Sequence, residues 1–289
     1  MRITDFSNAA MRQDFTKINK VCLVDADRFK HIAFHRMEKI ANQEFGFDEP
    51  TFETLKQIIK AESVGQCDDL EMTIKDPIVY CFSGKSSNTF RYHLAISKEY
   101  KGNRTSDKLT IEEFKQKIDL MNHAMECIMR EKACLLFEDL EADDLLSALQ
   151  DEDTYIVSVD KDLRQVPGLH YDLDQKKIIT IESEDALITL AKQMLTGDST
   201  DNIGGLEGIG PKKAEKILEN VKPKNALNVV YRHYKMKYGI IKGTDSFTEA
   251  WNLVKLRSNH GGYFKEKYKQ AFMLVDEIKK NVLHLNPKV

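Results

Sequence analysis

VCLVDADRFKHIAFHRMEKIA, residues 21–41, sets the class of the fold. Val21–Val24 is a short apolar run and reads as a strand, broken by Asp25. From Phe29 to Ala41 the pattern changes: Ile32, Ala33, Phe34, Met37 and Ile40 recur as one face of a helix. The alternation continues along the chain. Helical patterns cover Thr51–Ala61, Leu109–Glu131 and Ala142–Leu149, and strand patterns cover Ile78–Phe82, Ala133–Phe137 and Tyr155–Val159. Leu169–Leu173 and Lys177–Ile181 form a hairpin across Asp174-Gln175. This order is that of an α/β fold. Past Glu182 the strand signal mostly ends, and Glu184–Leu195, Pro211–Glu219, Ala226–Tyr238, Thr248–Leu256 and Lys265–Val282 read as helices. A sheet domain over residues 1–183 followed by a helical region over 184–289 is the organisation expected.

With 289 residues, 42% of them hydrophobic, the chain can bury a substantial core. A net charge of −3 excludes a protein that is basic throughout, so any attraction for nucleic acid must be local. The five cysteines are odd in number and form no CxxC pair, which points to buried thiols in a reducing compartment. The first residues lack a signal-peptide core, and no run reaches the length of a membrane span. A cytoplasmic protein with no membrane association is the expectation.

Acidic residues recur where the elements end. Asp25 closes the first strand, Glu141, Asp143 and Asp144 open the helix at Ala142, Asp160 and Asp162 follow the strand Tyr155–Val159, and Asp198 and Asp201 follow the helix ending at Leu195. In a parallel sheet, ligands gather beyond the carboxyl ends of the strands. Carboxylates brought together there repel one another unless protonated, solvated or neutralised by cations. Oxygen donors without histidine or cysteine favour Mg²⁺, or Mn²⁺ in its place, and a pair of such ions is a known arrangement for cutting phosphodiesters. Taken singly, each group also reads as a helix cap or polar turn, and Asp27 reads as a solvated or capping residue.

Five ordered segments carry a resemblance: Val24-Asp25-Ala26-Asp27, Glu99-Tyr100-Lys101-Gly102-Asn103-Arg104, Glu141-Ala142-Asp143-Asp144, Ser158-Val159-Asp160-Lys161-Asp162, and Gly197-Asp198-Ser199-Thr200-Asp201-Asn202-Ile203, the last running on into Gly208-Ile209-Gly210-Pro211-Lys212-Lys213-Ala214. With these the chain resembles the 5′-nuclease superfamily, which includes phage 5′-to-3′ exonucleases, phage RNase H and flap endonucleases. The resemblance implies a PIN-like α/β core with a mostly parallel sheet, a helical arch near residues 84–132 and a helix–hairpin–helix near 196–220. It implies metal ligation by Asp25, Glu141, Asp143, Asp144, Asp160, Asp162, Asp198 and Asp201. It also implies that Lys101 and Arg104 act on the scissile phosphate, with Lys85 and Arg91 framing the same opening. One departure stands out. The family carries an Asp after its second core strand, where this chain has Ser83-Gly84, so that ligand is missing or is supplied by Asp27 or by water.

Gly208, Gly210, Lys212, Lys213 and Lys216 read as a hairpin gripping duplex backbone through amides and charge, without reading bases. Related enzymes place a monovalent cation in this hairpin, K⁺ being the expected one. The function expected is a two-metal 5′-to-3′ exonuclease or flap endonuclease, monomeric, acting on DNA with 5′ ends, flaps or nicks, or on RNA–DNA hybrids. The alternatives are a catalytically degenerate, structure-selective DNA-binding homologue and, fitting less well, a small ribonuclease with a related sheet.

Overall fold

The computed structural model describes residues 18–45, 50–103, 109–258 and 262–285. β1 (Val21–Asp25) leads through α1 (Asp27–Glu44) and α2 (Phe52–Thr73) to β2 (Ile78–Ser83). α3 (Phe90–Leu94) and α4 (Ile111–Glu131) connect β2 to β3 (Cys134–Phe137), and α5 (Ala142–Leu149) connects β3 to β4 (Thr154–Ser158). The sheet is completed by β5 (Gly168–Asp172) and β6 (Lys177–Ile181). Its order is β3-β2-β1-β4-β5-β6, and only the terminal β5–β6 pairing is antiparallel. Parallel neighbours need crossovers, and helices supply them.

Side chains alternate across a strand, and the core follows that period. Val21, Leu23, Val79, Cys81 and Ile156 pack against α5 on one face. Cys22, Val24, Tyr80, Phe82 and Val157 pack on the other against α1, α2 and α4, through Phe29, Cys67 and Ile128. Both faces of the central strands are therefore buried, which explains why these strands are continuous apolar runs.

α6 (Ser183–Thr196), β7 (Gly197–Asp198), β8 (Ile203–Gly204), α7 (Pro211–Leu218), α8 (Ala226–Tyr238) and α9 (Ile240–Val254) follow. They enclose a second core around Leu190, Met194, Val230, Tyr234 and Leu253. α10 (Tyr263–Lys267) and α11 (Lys269–Leu285) return to the first core, where Phe264, Ala271, Phe272 and Val275 join Val21 and Leu145. Among the described residues, no helix is long and apolar enough to cross a membrane.

The structure differs from the sequence expectation mainly in helix lengths. α2 continues past Ala61 to Thr73, because Cys67 and Leu70 extend its buried face beyond the weak helix former Gly65. α9 begins at Ile240, well before Thr248. Gly243, a poor helix former alone, lies where a Cβ would come within 2.7 Å of the Tyr234 carbonyl oxygen, so it allows α9 to approach α8 closely. The short helix α3 and the β7–β8 ladder carried no sequence signal strong enough to be read.

That ladder turns the chain sharply after α6. A Cβ on Gly205 would lie 2.2 Å from the Thr196 carbonyl carbon and 2.3 Å from the Gly197 nitrogen, all backbone that cannot swing aside. Gly205→Ala is expected to destabilise the protein by about 1–3 kcal/mol, the usual cost of overpacking. Gly204→Ala, whose Cβ meets nothing within 4 Å, serves as the control. Thermal denaturation of the two variants should show a drop in Tm for the first and close to none for the second.

Candidate metal centre and nucleic-acid interface

The parallel strands deliver their carboxyl ends to one edge of the sheet. Asp25 is the last residue of β1, Ser83 the last of β2, and Asp160 and Asp162 follow β4. Glu141 occupies the N-cap position of α5 and Asp143 its first turn. Asp198 sits in β7, and Asp201 in the turn before β8. These groups line one cavity of about 490 Å³, together with Asp27, His31, Ser83 and Lys101. Seven of the eight expected metal ligands thus face the same space: Asp25, Glu141, Asp143, Asp160, Asp162, Asp198 and Asp201.

Asp144 does not, and its expected role is corrected by the geometry. It is fully buried, and both its oxygens are taken by Arg91, at 2.5 Å and 2.9 Å. The Arg257 amide donates to it as well, at 2.9 Å. Its lone pairs are spent inside the protein. Arg91 is corrected with it. Its guanidinium is 2% exposed, reaches Glu141 at 2.9 Å and donates through Nε to the Leu253 carbonyl at 2.8 Å. Burial alone would favour losing its proton, but Asp144 and Glu141 outweigh that and hold it charged. A group so enclosed cannot meet a nucleic-acid backbone.

The cavity carboxylates bear the mark of crowding. Burial, then the charges of Asp27 and Asp160, push Asp25 up to about 7, against hydrogen bonds from the Ser158 hydroxyl and the Asp27 amide. Burial, then Asp25 and Asp160, raise Asp143 well above the carboxylate range. Burial, then Asp160 and Asp198, bring Asp162 to about 6, although Gln193 donates to it at 2.5 Å. Asp27 goes the other way: burial raises it, but the Lys30 ammonium and hydrogen bonds from Lys30 and Ser83 overcome this and hold it low.

Among the described residues no three histidine, cysteine or carboxylate groups meet at one point as a ready-made ion cage. The acids ring the cavity instead. A hard divalent cation that keeps several waters binds through few protein oxygens, so a ring of oxygen donors suits an ion of that kind.

Lys101 stands on the cavity wall. Its ammonium pairs with Glu141 and lies 3.8 Å from Asp201 Oδ2. Its backbone is left-handed, φ 57°, and is pinned by a hydrogen bond from its amide to the Asp201 carbonyl at 2.9 Å. A non-glycine residue in that region is uncommon, and here the hydrogen bond holds it in place. Beside it the buried Tyr100 hydroxyl lies 2.9 Å from Glu141 Oε2 and 2.8 Å from Asp201 Oδ2, donating to one at a time. Arg104 lies outside the described residues. Lys85 is exposed just beyond β2.

Further along, Gly208 adopts φ +81° and Gly210 is the N-cap of α7, with Pro211 at its first position. The first amides of α7 therefore open outward at a glycine hairpin. Lys212 and Lys216 are exposed, whereas the Lys213 ammonium, also on the surface, folds back to donate to the Gly208 carbonyl at 2.8 Å.

A family model, the 5′-3′ exonuclease N-terminal resolvase-like domain, matches residues 20–195, more than half the chain. The chain belongs to this 5′-3′ exonuclease family. It is 26% identical over 229 residues to a 5′-3′ exonuclease of Mycoplasmopsis pulmonis, covering 73% of this chain and 70% of that protein. DNA polymerase I of Rhizobium leguminosarum is 33% identical over 194 residues, covering 60% of this chain but 18% of the polymerase. The thermostable DNA polymerase I of Thermus aquaticus is 25% identical, with 85% of this chain and 29% of the polymerase covered. The chain thus spans less than a third of either polymerase. A solved structure of T5 5′-exonuclease with bound zinc ions shares the fold, at a TM-score of 0.56 and 16% identity, over 91% of this chain and 98% of that one.

Sequence reasoning gives Tyr100 no role, and leaves Asp27 as a capping residue or a stand-in for the ligand missing after β2. In the structure Ala26 turns helical directly after Asp25, and Asp27 reaches the cavity lining as the first residue of α1. Tyr100 stands beside Lys101 in the EYKGNR motif, and Ser83 draws notice only as the residue where a carboxylate is expected.

Two outcomes test this geometry. Arg91→Ala strands Asp144 and part of Glu141 as buried uncompensated charge, and is expected to cost about 3–5 kcal/mol in a denaturant titration. Asp25 tests the crowding. Its folded-state value of about 7 lies above the ordinary unfolded value of about 3.9. The native state therefore holds a proton that the unfolded state loses, and stability falls as pH rises between the two. In chelator-treated protein, Asp25→Asn should melt well above the wild type at pH 8 and nearly with it at pH 4. Equal Tm differences at both pH values would contradict the assignment.

Proposed function

We propose that this chain is a divalent-metal-dependent 5′ nuclease hydrolysing phosphodiester bonds of DNA near 5′ ends, both as an exonuclease and at flaps. The observation that carries the reading is the single cavity at the carboxyl ends of the parallel strands, walled by carboxylates from both parts of the chain and by Lys101.

Asp25, Glu141, Asp143, Asp160, Asp162, Asp198 and Asp201 are the residues that would hold Mg²⁺ ions, with Mn²⁺ as a substitute. Bound there, such ions polarise the phosphoryl group and lower the pKa of a water nucleophile. The chain's own residues do the rest. The Lys101 ammonium offers positive charge where the phosphoryl oxygens gain negative charge, and Arg104 is proposed to join it. Tyr100 keeps Glu141 and Asp201 oriented. Gly208–Gly210 and the amides opening α7, with Lys212, Lys213 and Lys216, grip the duplex backbone, and Lys85 adds charge at the cavity mouth. K⁺ in the hairpin, action on RNA–DNA hybrids, a monomeric state and a cytoplasmic location complete the proposal.

Ser83 at the end of β2 favours one second reading, a non-catalytic homologue that binds branched DNA. A labelled flap and a nicked duplex, incubated with Mg²⁺ or Mn²⁺, separate the two. The nuclease yields 5′-phosphate products, and Asp160→Ala lowers the rate on the order of 100-fold or more. Structure-selective binding without cleavage in either metal would establish the second reading.

A further inference from the structure

Each strand that reaches the cavity brings a carboxylate except β2. β1 ends in Asp25, β3 leads to Glu141 and Asp143, and β4 leads to Asp160. β2 ends in Ser83, which carries no charge and whose hydroxyl accepts the Ala142 amide at 2.9 Å at the start of α5. A carboxylate nevertheless stands over this strand end. Asp27, the first residue of α1, accepts the Ser83 amide at Oδ1, 3.3 Å away. The same oxygen takes Lys30 at 2.5 Å. The Ser83 hydroxyl also donates to this carboxylate, and the side chain is 25% exposed, within the cavity lining.

We propose that Asp27 is a ligand of the metal centre, supplying from α1 the carboxylate that β2 does not provide, and that Lys30 is its counter-ion. The assignment rests on the metal-dependent reading of the cavity given above. The competing role is purely local: an acidic residue at a helix N-terminus paired with a lysine one turn on. The two roles differ in what happens to a bound cation. A ligand held in position by an amide and an ammonium adds affinity for the cation, whereas a local pair adds none.

The test measures Mn²⁺ binding to the full chain by the loss of the free-ion electron paramagnetic resonance signal. Cleavage of a labelled flap is followed in parallel. Asp27→Asn/Lys30→Gln removes the carboxylate and its counter-ion together, so the charge of the site is unchanged and only a ligand is lost. Its Mn²⁺ affinity is expected to fall by about 10-fold or more, the scale of losing a group that supports a metal site. Asp27→Glu keeps both charges but moves the oxygens by one methylene. It is expected to weaken Mn²⁺ several-fold, which a charge effect would not do, and it remains readable if the double variant does not fold. Wild-type affinity in either folded variant, in a chain that itself binds Mn²⁺ and cuts DNA, overturns the role of Asp27 alone. A wild type that neither binds Mn²⁺ nor cuts DNA overturns this assignment and the metal-centre reading together.

Discussion

Repulsion among carboxylates sharing one cavity is the constraint that the architecture answers. Two unit charges 4 Å apart cost about 4 kcal/mol at an effective dielectric of 20, and here eight acids line the same space. Three devices hold them there without cations. Neutral donors take part of the charge: Ser158 on Asp25, Gln193 on Asp162, Tyr100 between Glu141 and Asp201. Fixed cations take more, with Arg91 and Lys101 on Glu141 and Lys30 on Asp27. The remainder appears as retained protons, in the raised values of Asp25, Asp143 and Asp162. A site that keeps protons where carboxylates should be charged is one that divalent cations would stabilise.

Such a cluster needs a frame that cannot relax away from it. The central strands are buried on both faces, which fixes Asp25, Ser83 and Asp160 relative to one another. The frame also crosses the chain. Arg91, from the segment after β2, donates to the Leu253 carbonyl and clamps Asp144, which in turn accepts the Arg257 amide. The Lys101 amide binds the Asp201 carbonyl, and Leu206 donates back to Leu195 across the glycine-lined turn. Residues far apart in sequence are therefore locked around one opening, and the second core behind α6 is a support for Asp198 and Asp201 as well as for the hairpin.

Much of this is legible in the sequence. The apolar runs of β1, β2 and β4 and the helical stripe of α5 come through because burial on two faces or on one leaves a strong periodic trace. The gathering of acids at strand ends is legible for the same reason: their place in the chain follows from where each element stops. α3 is not legible, since five residues hold less than two helical turns and its one buried side chain is an arginine. Arg91 itself looks like a surface cation because a buried arginine is rare unless paired, and its partner lies more than fifty positions away.

Asp144 and Asp27 show how local geometry, more than motif, decides where a carboxylate lies. Asp143 and Asp144 are adjacent on α5, and successive helical positions differ by about 100° around the axis, so the two point different ways. Asp143 lines the cavity and Asp144 turns inward, where a buried carboxylate requires a partner and Arg91 supplies it. Asp25 and Asp27 are brought together by the turn from strand to helix. Asp25 ends β1, Ala26 takes a helical backbone at φ −91° and ψ −8°, and α1 begins at once, so its first side chain, Asp27, joins Asp25 in the cavity lining. The motif assigns Asp144 to the metal and leaves Asp27 to the solvent, whereas the structure buries Asp144 against Arg91 and places Asp27 in the cavity lining.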